Sequence, residues 1–177
     1  PFGDIWCKVV QYLIVVTAHA SIYTLVLMSL DRYLAVVHPV ASMGVRTEKN
    51  ALIAIALTWL AIVTTASPVA ICHGEQKYWH HGQYQSSCVF REEDSCQRPA
   101  FQLSFFASSY VIPLALICGL YVRLLARLWR NAPGQRLSAE SRKGKRRVTR
   151  MVLVVVAAFA ICWLPIHVST LIIIYSL

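Results

Sequence analysis

VVQYLIVVTAHASIYTLVLMSL, residues 9–30, contains no Asp, Glu, Lys or Arg, and it runs directly into DRYLAVVHP, residues 31–39, where a carboxylate and a guanidinium stand side by side. A helix needs about 20 residues to cross a roughly 30 Å hydrocarbon core, so the first stretch is long enough to span a bilayer and the Asp-Arg pair marks where it leaves. Cys7 lies one helical crossing earlier: from Cys7 to Arg32 an α-helix would cover roughly 37 Å at about 1.5 Å per residue. The cysteine and the ion pair therefore belong to opposite membrane faces. Between them Gln11, Ile14, Val15, Ala18, Ile22, Leu25, Ser29 and Arg32 recur at helical spacing and form one stripe, expected to face a bundle interior.

Three further charge-free runs, 51–72, 99–122 and 151–177, meet the same length requirement. With 57% hydrophobic and 14% charged residues and a mean hydropathy of +0.55, the chain is too apolar for an ordinary soluble domain. The reading is an all-α membrane protein with four spans. Residues 9–30 are not a cleavable signal peptide, because no charged segment precedes a short apolar core. The chain opens in a polar connector without Met and closes inside an apolar run, so it is expected to be a piece of a longer protein.

The net charge of +9 has one source, residues 123–150, which hold ten Lys and Arg against a single Glu. The positive-inside rule places that loop in the cytoplasm. Alternation of the spans then puts the 31–50 connector inside and the 73–98 connector outside. Nucleic-acid binding does not follow from this charge, since no stacking aromatics are interleaved through 131–150. Within the loop, RRVT places Thr149 after a basic pair in the manner of a basophilic kinase site, but the topogenic role of the charge already explains the run.

Pro68, Pro113 and Pro165 each sit inside one of the later spans and are expected to break a backbone hydrogen bond there. Trp163 and His167 share a helix face beside Pro165, which suggests a hinge beneath a cavity. His19 and His167 are the ionisable groups deepest in the spans and so are functional candidates. A neutral histidine that simply satisfies a neighbouring hydroxyl or carbonyl is the ordinary alternative for both. The outer connector is long for a simple link, and its YQSSCVF segment alternates like a strand or hairpin with Cys88 as an anchor. Cys7, Cys72, Cys88 and Cys96 all fall at the outer face, where disulfides persist, and Cys72 with Cys96 is one candidate pair. His73, His80 and His81 lack a carboxylate or cysteine at ligand spacing and read as loop residues.

These landmarks together resemble a rhodopsin-like (class A) G-protein-coupled receptor from the end of its second helix to the end of its sixth. The resemblance is carried by Cys7, the Asp31-Arg32-Tyr33 triplet with Pro39 beyond it, Trp59, Pro113, Tyr121, and Cys162-Trp163-Leu164-Pro165. Within that superfamily, residues 6–40 are most similar to the galanin-receptor-like group and to the arthropod receptors for allatostatin-A peptides. The resemblance implies a seven-helix bundle in the plasma membrane, of which this chain covers helices three to six. It also implies an amidated neuropeptide ligand, a heterotrimeric and inhibitory G protein as partner, and no cofactor or metal. Helices one, two and seven are then absent, and the chain should not signal by itself.

Roles carry over residue by residue. Cys7 and Cys88 match the conserved-position disulfide of the family pattern. Asp31, Arg32, Tyr33, Pro39, Val40 and Tyr121 match the G-protein-coupling switch, with Asp31 holding Arg32 at rest and Arg32 meeting Tyr121 on activation. Ile22, Pro113 and Phe159 match the trio that repacks, Trp163 the pivot under the ligand, and Pro165 the bend beside it. Gln11, Ile14, Val15, Ala18, Phe90, Phe105, Phe106 and His167 match ligand-facing positions. Ile14 stands where amine receptors carry an aspartate, so an ammonium ligand finds no carboxylate at that depth. In one departure, Lys145 and its neighbours are basic where some members carry an acid that pairs with the Arg-Tyr arginine, which leaves Asp31 as the only expected restraint. An enzyme is disfavoured because neither HExxH nor GxSxG occurs. A proton-coupled transporter lacks buried acids, and a four-span structural protein gives no reason for DRY and CWLP.

Overall fold

The computed structural model describes residues 3–80, 82–92, 96–130 and 139–175. Among these, four helices are long and apolar enough to cross a membrane: Gly3–Val37, Glu48–Cys72, Arg98–Trp129 and Lys143–Ser169. The first span is α1 (Gly3–Val37). The second joins α2 (Glu48–Thr65) to α3 (Ser67–Cys72), and the third runs from α4 (Arg98–Phe106) through a π-helical segment (Ala107–Val111) into α5 (Ile112–Trp129). The fourth lies within α6 (Ala139–Tyr175). Between the second and third spans, β1 (His73–His80) and β2 (Gln83–Phe90) form an antiparallel hairpin. Gly82, just before β2, has a positive φ of 78°, a conformation that glycine adopts at little cost. Within the hairpin Trp79 lies opposite Tyr84, their rings edge to face at 4.6 Å. His81 lies outside the described residues.

Pro39 ends α1, because a residue before proline avoids the helical region and α1 stops at Val37. A tight turn follows, closed by the Ser42 N–H to His38 O at 2.9 Å and the Arg46 N–H to Ser42 O at 2.8 Å. Thr47 then caps α2 by accepting from the Asn50 N–H at 3.3 Å, and Glu48 sits in the first turn, where its charge suits the helix dipole.

The three prolines have three different outcomes. Pro68 splits the second span, with α2 ending at Thr65 and α3 starting at Ser67. Pro165 is carried inside the continuous α6. Pro113 is accommodated by the π segment just before it, where the Ile112 N–H reaches back to the Ala107 carbonyl. In that i to i+5 pattern the partner of the Ser108 carbonyl is Pro113, which has no N–H to give. The Tyr23 hydroxyl of α1 donates to this carbonyl instead, at 3.0 Å.

Lipid tails are as apolar as leucine, so small residues and cross-helix hydrogen bonds must hold the spans together. Val16, Ala20, Ile62 and Ala66 form the seam between the first two spans, where the alanines let the backbones approach. Beside it, the Tyr12 hydroxyl donates to the Val63 carbonyl at 2.9 Å. A second cluster, Ile117, Tyr121, Leu124 and Val152, joins the inner halves of the third and fourth spans to Leu25, Val26, Tyr33 and Val36 of the first. Higher up, the Tyr110 hydroxyl donates to the Ala160 carbonyl at 3.3 Å.

Candidate functional site

The interior of the bundle is organised around His167, which is almost fully buried on α6. Its ring lies 5.1 Å from Tyr110, 5.2 Å from Phe106 and 5.8 Å from Phe105, with Trp163 one turn below at 6.3 Å. Ser109 spends its proton on the Phe105 carbonyl at 2.6 Å, so His167 Nε2 carries the hydrogen in the 3.4 Å contact with Ser109 Oγ. Phe159 continues the stack downward, 6.1 Å from Tyr110 and 6.3 Å from Trp163. Ile22 and Pro113 are also buried. The structure thus gathers Phe105, Phe106, His167, Trp163 and Phe159 into one aromatic column. Its walls are apolar apart from neutral hydroxyl and imidazole groups.

Other expected ligand-facing residues lie elsewhere. Val15 and Phe105 line a cavity of about 970 Å³ between the first three spans, with His19, Thr65 and Ser108 also in its wall and no charged residue around it. Ile14 is 55% exposed, on a side of α1 that no described element covers. Gln11 and Ala18 are half-buried. Phe90 sits at the outer mouth, its ring 5.1 Å from Phe101 and 5.4 Å from His73, with the Arg98 guanidinium over it at 5.8 Å. His19 takes its ordinary role. Its Nδ1 faces the Val15 carbonyl at 2.9 Å, which fixes the proton there, and Nε2 accepts from Ser108 Oγ at 3.1 Å.

Both outer disulfides are formed: Cys7 with Cys88, Cα atoms 5.5 Å apart, and Cys72 with Cys96, Cα atoms 5.6 Å apart. The first staples the hairpin to α1. The second ties the top of the second span to the segment entering the third.

At the inner end the structure corrects one expectation. The Asp31 carboxylate is expected to hold Arg32, but its hydrogen bonds go to Arg46, Nε to Oδ1 at 2.8 Å and a second guanidinium nitrogen to Oδ2 at 3.3 Å, while the neighbouring Arg32 acts on it through its charge. Neighbours on a helix point about 100° apart, whereas the 38–47 turn brings Arg46 back against the end of α1. The Asp31 hydrogen bond pushes the Arg46 guanidinium above its already high ordinary value. Arg32 lines a groove of about 600 Å³ on the second-span side, together with Asp31, Arg46 and Trp59. Tyr121 is buried on the other side of α1, packed with Tyr33 in the inner cluster. Pro39 and Val40 stand exposed on the connecting turn, Val40 to 80%. At the start of the fourth span the Trp129 indole N–H donates to Thr149 Oγ1 at 3.2 Å.

Sequence reasoning missed Tyr23, Arg46 and Trp129. Tyr23 had a signal, one turn after His19 and facing the carbonyl that Pro113 orphans. Arg46 had none, because its partner depends on the path of a turn.

Apolar spans, an outer hairpin stapled to the first of them, an aromatic column beneath and an Asp-Arg-Tyr inner end together define a helical membrane receptor. The profile of the family described as 7 transmembrane receptor (rhodopsin family) matches residues 1–176, and the chain belongs to that family. It is 66% identical over 172 residues to the allatostatin-A receptor of Bombyx mori, covering 97% of this chain and 48% of that protein. It is 38% identical over 167 residues to galanin receptor type 2 of Homo sapiens, covering 94% and 42% respectively. With galanin receptor type 1 of Mus musculus it shares 35% over 166 residues, covering 94% and 46%. The chain spans about half the length of the curated relatives it matches.

Proposed function

We propose that this chain is the central part of a plasma-membrane receptor for amidated neuropeptides of the allatostatin-A type, which passes ligand binding to a heterotrimeric, inhibitory G protein. The observation that carries the reading is the gap between 66% identity to an allatostatin-A receptor and 35–38% identity to galanin receptors over nearly the same residues. The site chemistry agrees. An uncharged aromatic column around His167 suits the side chains and neutral amide end of such a peptide, and offers no carboxylate for an amine. In this reading the peptide presses on Trp163 and His167, Ile22, Pro113 and Phe159 repack, and the inner ends of the third and fourth spans part. Asp31, Arg32, Tyr33, Pro39, Val40 and Tyr121 then face the G protein. Ligand and partner bias one two-state element from opposite ends.

The test uses the complete receptor in cells challenged with amidated allatostatin-A and galanin peptides while cAMP is read. Low-nanomolar inhibition of cAMP by the former, lost in Arg32→Ala at unchanged surface expression, is the expected result. A receptor that reaches the surface and answers galanin but not allatostatin-A would transfer the assignment to the galanin-like group.

A further inference from the structure

A single disulfide leaves a hairpin free to swing about it, yet here the rung that carries Cys88 is held at both ends. Glu75 is the cross-strand partner of Cys88, and its N–H donates to Asp4 Oδ1 at 2.9 Å. Asp4 lies three residues before Cys7 on α1, on the same helix face. The guanidinium of Arg91 completes the attachment: one nitrogen donates both to Asp4 Oδ1 and to the Glu75 carbonyl, each at 3.0 Å. The Arg91 backbone N–H meanwhile donates to the Cys72 carbonyl at 2.8 Å, at the top of the second span. Lys8, at 2.9 Å, neutralises the other oxygen of Asp4. Gly74 makes the route possible, since a Cβ there would fall on the Cζ and Nε of Arg91.

We propose that Asp4 and Arg91 are positioning residues for the ligand site, and that Gly74 is the opening through which Arg91 acts. They lock the hairpin's angle over the bundle and thereby set where Phe90, the residue before Arg91, closes the outer mouth against His73 and Phe101. The ligand half of this statement rests on the peptide-receptor reading above. The clamp itself does not.

The experiment has two arms on the complete receptor. In the first, hydrogen exchange across residues 73–80 is measured without peptide. In the second, the potency of an amidated allatostatin-A peptide is read by cAMP at matched surface expression. Asp4→Ala, Arg91→Ala and Gly74→Val are each expected to speed exchange in β1 and to weaken potency about tenfold, the loss of one charge-assisted hydrogen bond. Valine favours strands, so its effect would not come from local propensity. Because Gly74→Val acts by expelling Arg91, it should add nothing in an Arg91→Ala background, and Arg91→Lys should recover part of the potency by keeping the ion pair. Unchanged exchange in Asp4→Ala and Arg91→Ala would overturn the clamp. Faster exchange with full potency would overturn its role at the ligand site. A wild-type receptor silent to the peptide would overturn the receptor reading and the ligand half with it, while the exchange arm still decides the clamp.

Discussion

The two ends of this bundle are held by different means. At the outer end, two disulfides and the Asp4 cluster fix the hairpin and the tops of three spans to one another. At the inner end the described residues show a half-exposed ion pair between Asp31 and Arg46, an indole-to-hydroxyl bond, and a cluster rich in valine. Covalent ties do not open on a signalling timescale, and the Asp4 pairs beside them form a network; a lone exposed ion pair such as that of Asp31 with Arg46 contributes little, and branched aliphatic contacts can be exchanged for others. The difference teaches where motion can be generated. Under the proposed function, a rigid outer frame would make ligand contact at that end a lever, with the lightly bound end the one to move.

The largest test of that contrast is removal of the first disulfide. On the chain-entropy account a closure of 81 residues stabilises by about 4.5 kcal/mol, so Cys88→Ser should leave little correctly folded receptor at the surface, measured by flow cytometry and peptide binding. The Cys72 to Cys96 bridge closes 24 residues, worth about 3.4 kcal/mol on the same account. The double replacement by serine should lower the melting temperature of the solubilised receptor by less than the first bridge does. Equal losses would show that the hairpin and the second span form one unit. Tyr23→Phe, which strips the Ser108 carbonyl of its donor, should cost about 1 kcal/mol in the same melting assay. The smallest stability changes belong to the inner end: Arg46→Ala and Trp129→Phe should barely alter melting but raise basal, peptide-independent signalling. If either variant melts as early as the disulfide mutants, the contrast between the ends fails.

Much of the fold could be read from residues alone, because charge-free runs of membrane length and the basic 123–150 loop are properties of composition and order. The hairpin was visible in the alternation around Cys88. The interior column was legible where spacing decides it, as with Trp163 and His167 one turn apart. What could not be read depends on where a turn leads or on which carbonyl a proline abandons. Asp31 looked bound to its neighbour Arg32 until the 38–47 turn delivered Arg46. Val15 and Ile14, adjacent in the expected stripe, separate because one faces the second span and the other faces a side that no described element covers. Phe90 belonged to the ligand set by resemblance, yet its neighbours, His73, Phe101 and Arg98, come from the connector and the start of the third span.

The π segment at 107–111 has a consequence for anyone who counts along the third span. One extra residue in a turn shifts everything on its outer side by roughly 100° relative to an uninterrupted α-helix. The span therefore carries two reading frames, one for the half beyond Ala107 and one for the half that follows Val111. Deleting a single residue between them would merge the frames. Phe105 and Phe106 would be turned away from His167 while Tyr121 stayed in place, so the outer end would lose its aromatic contacts without any change to the inner one.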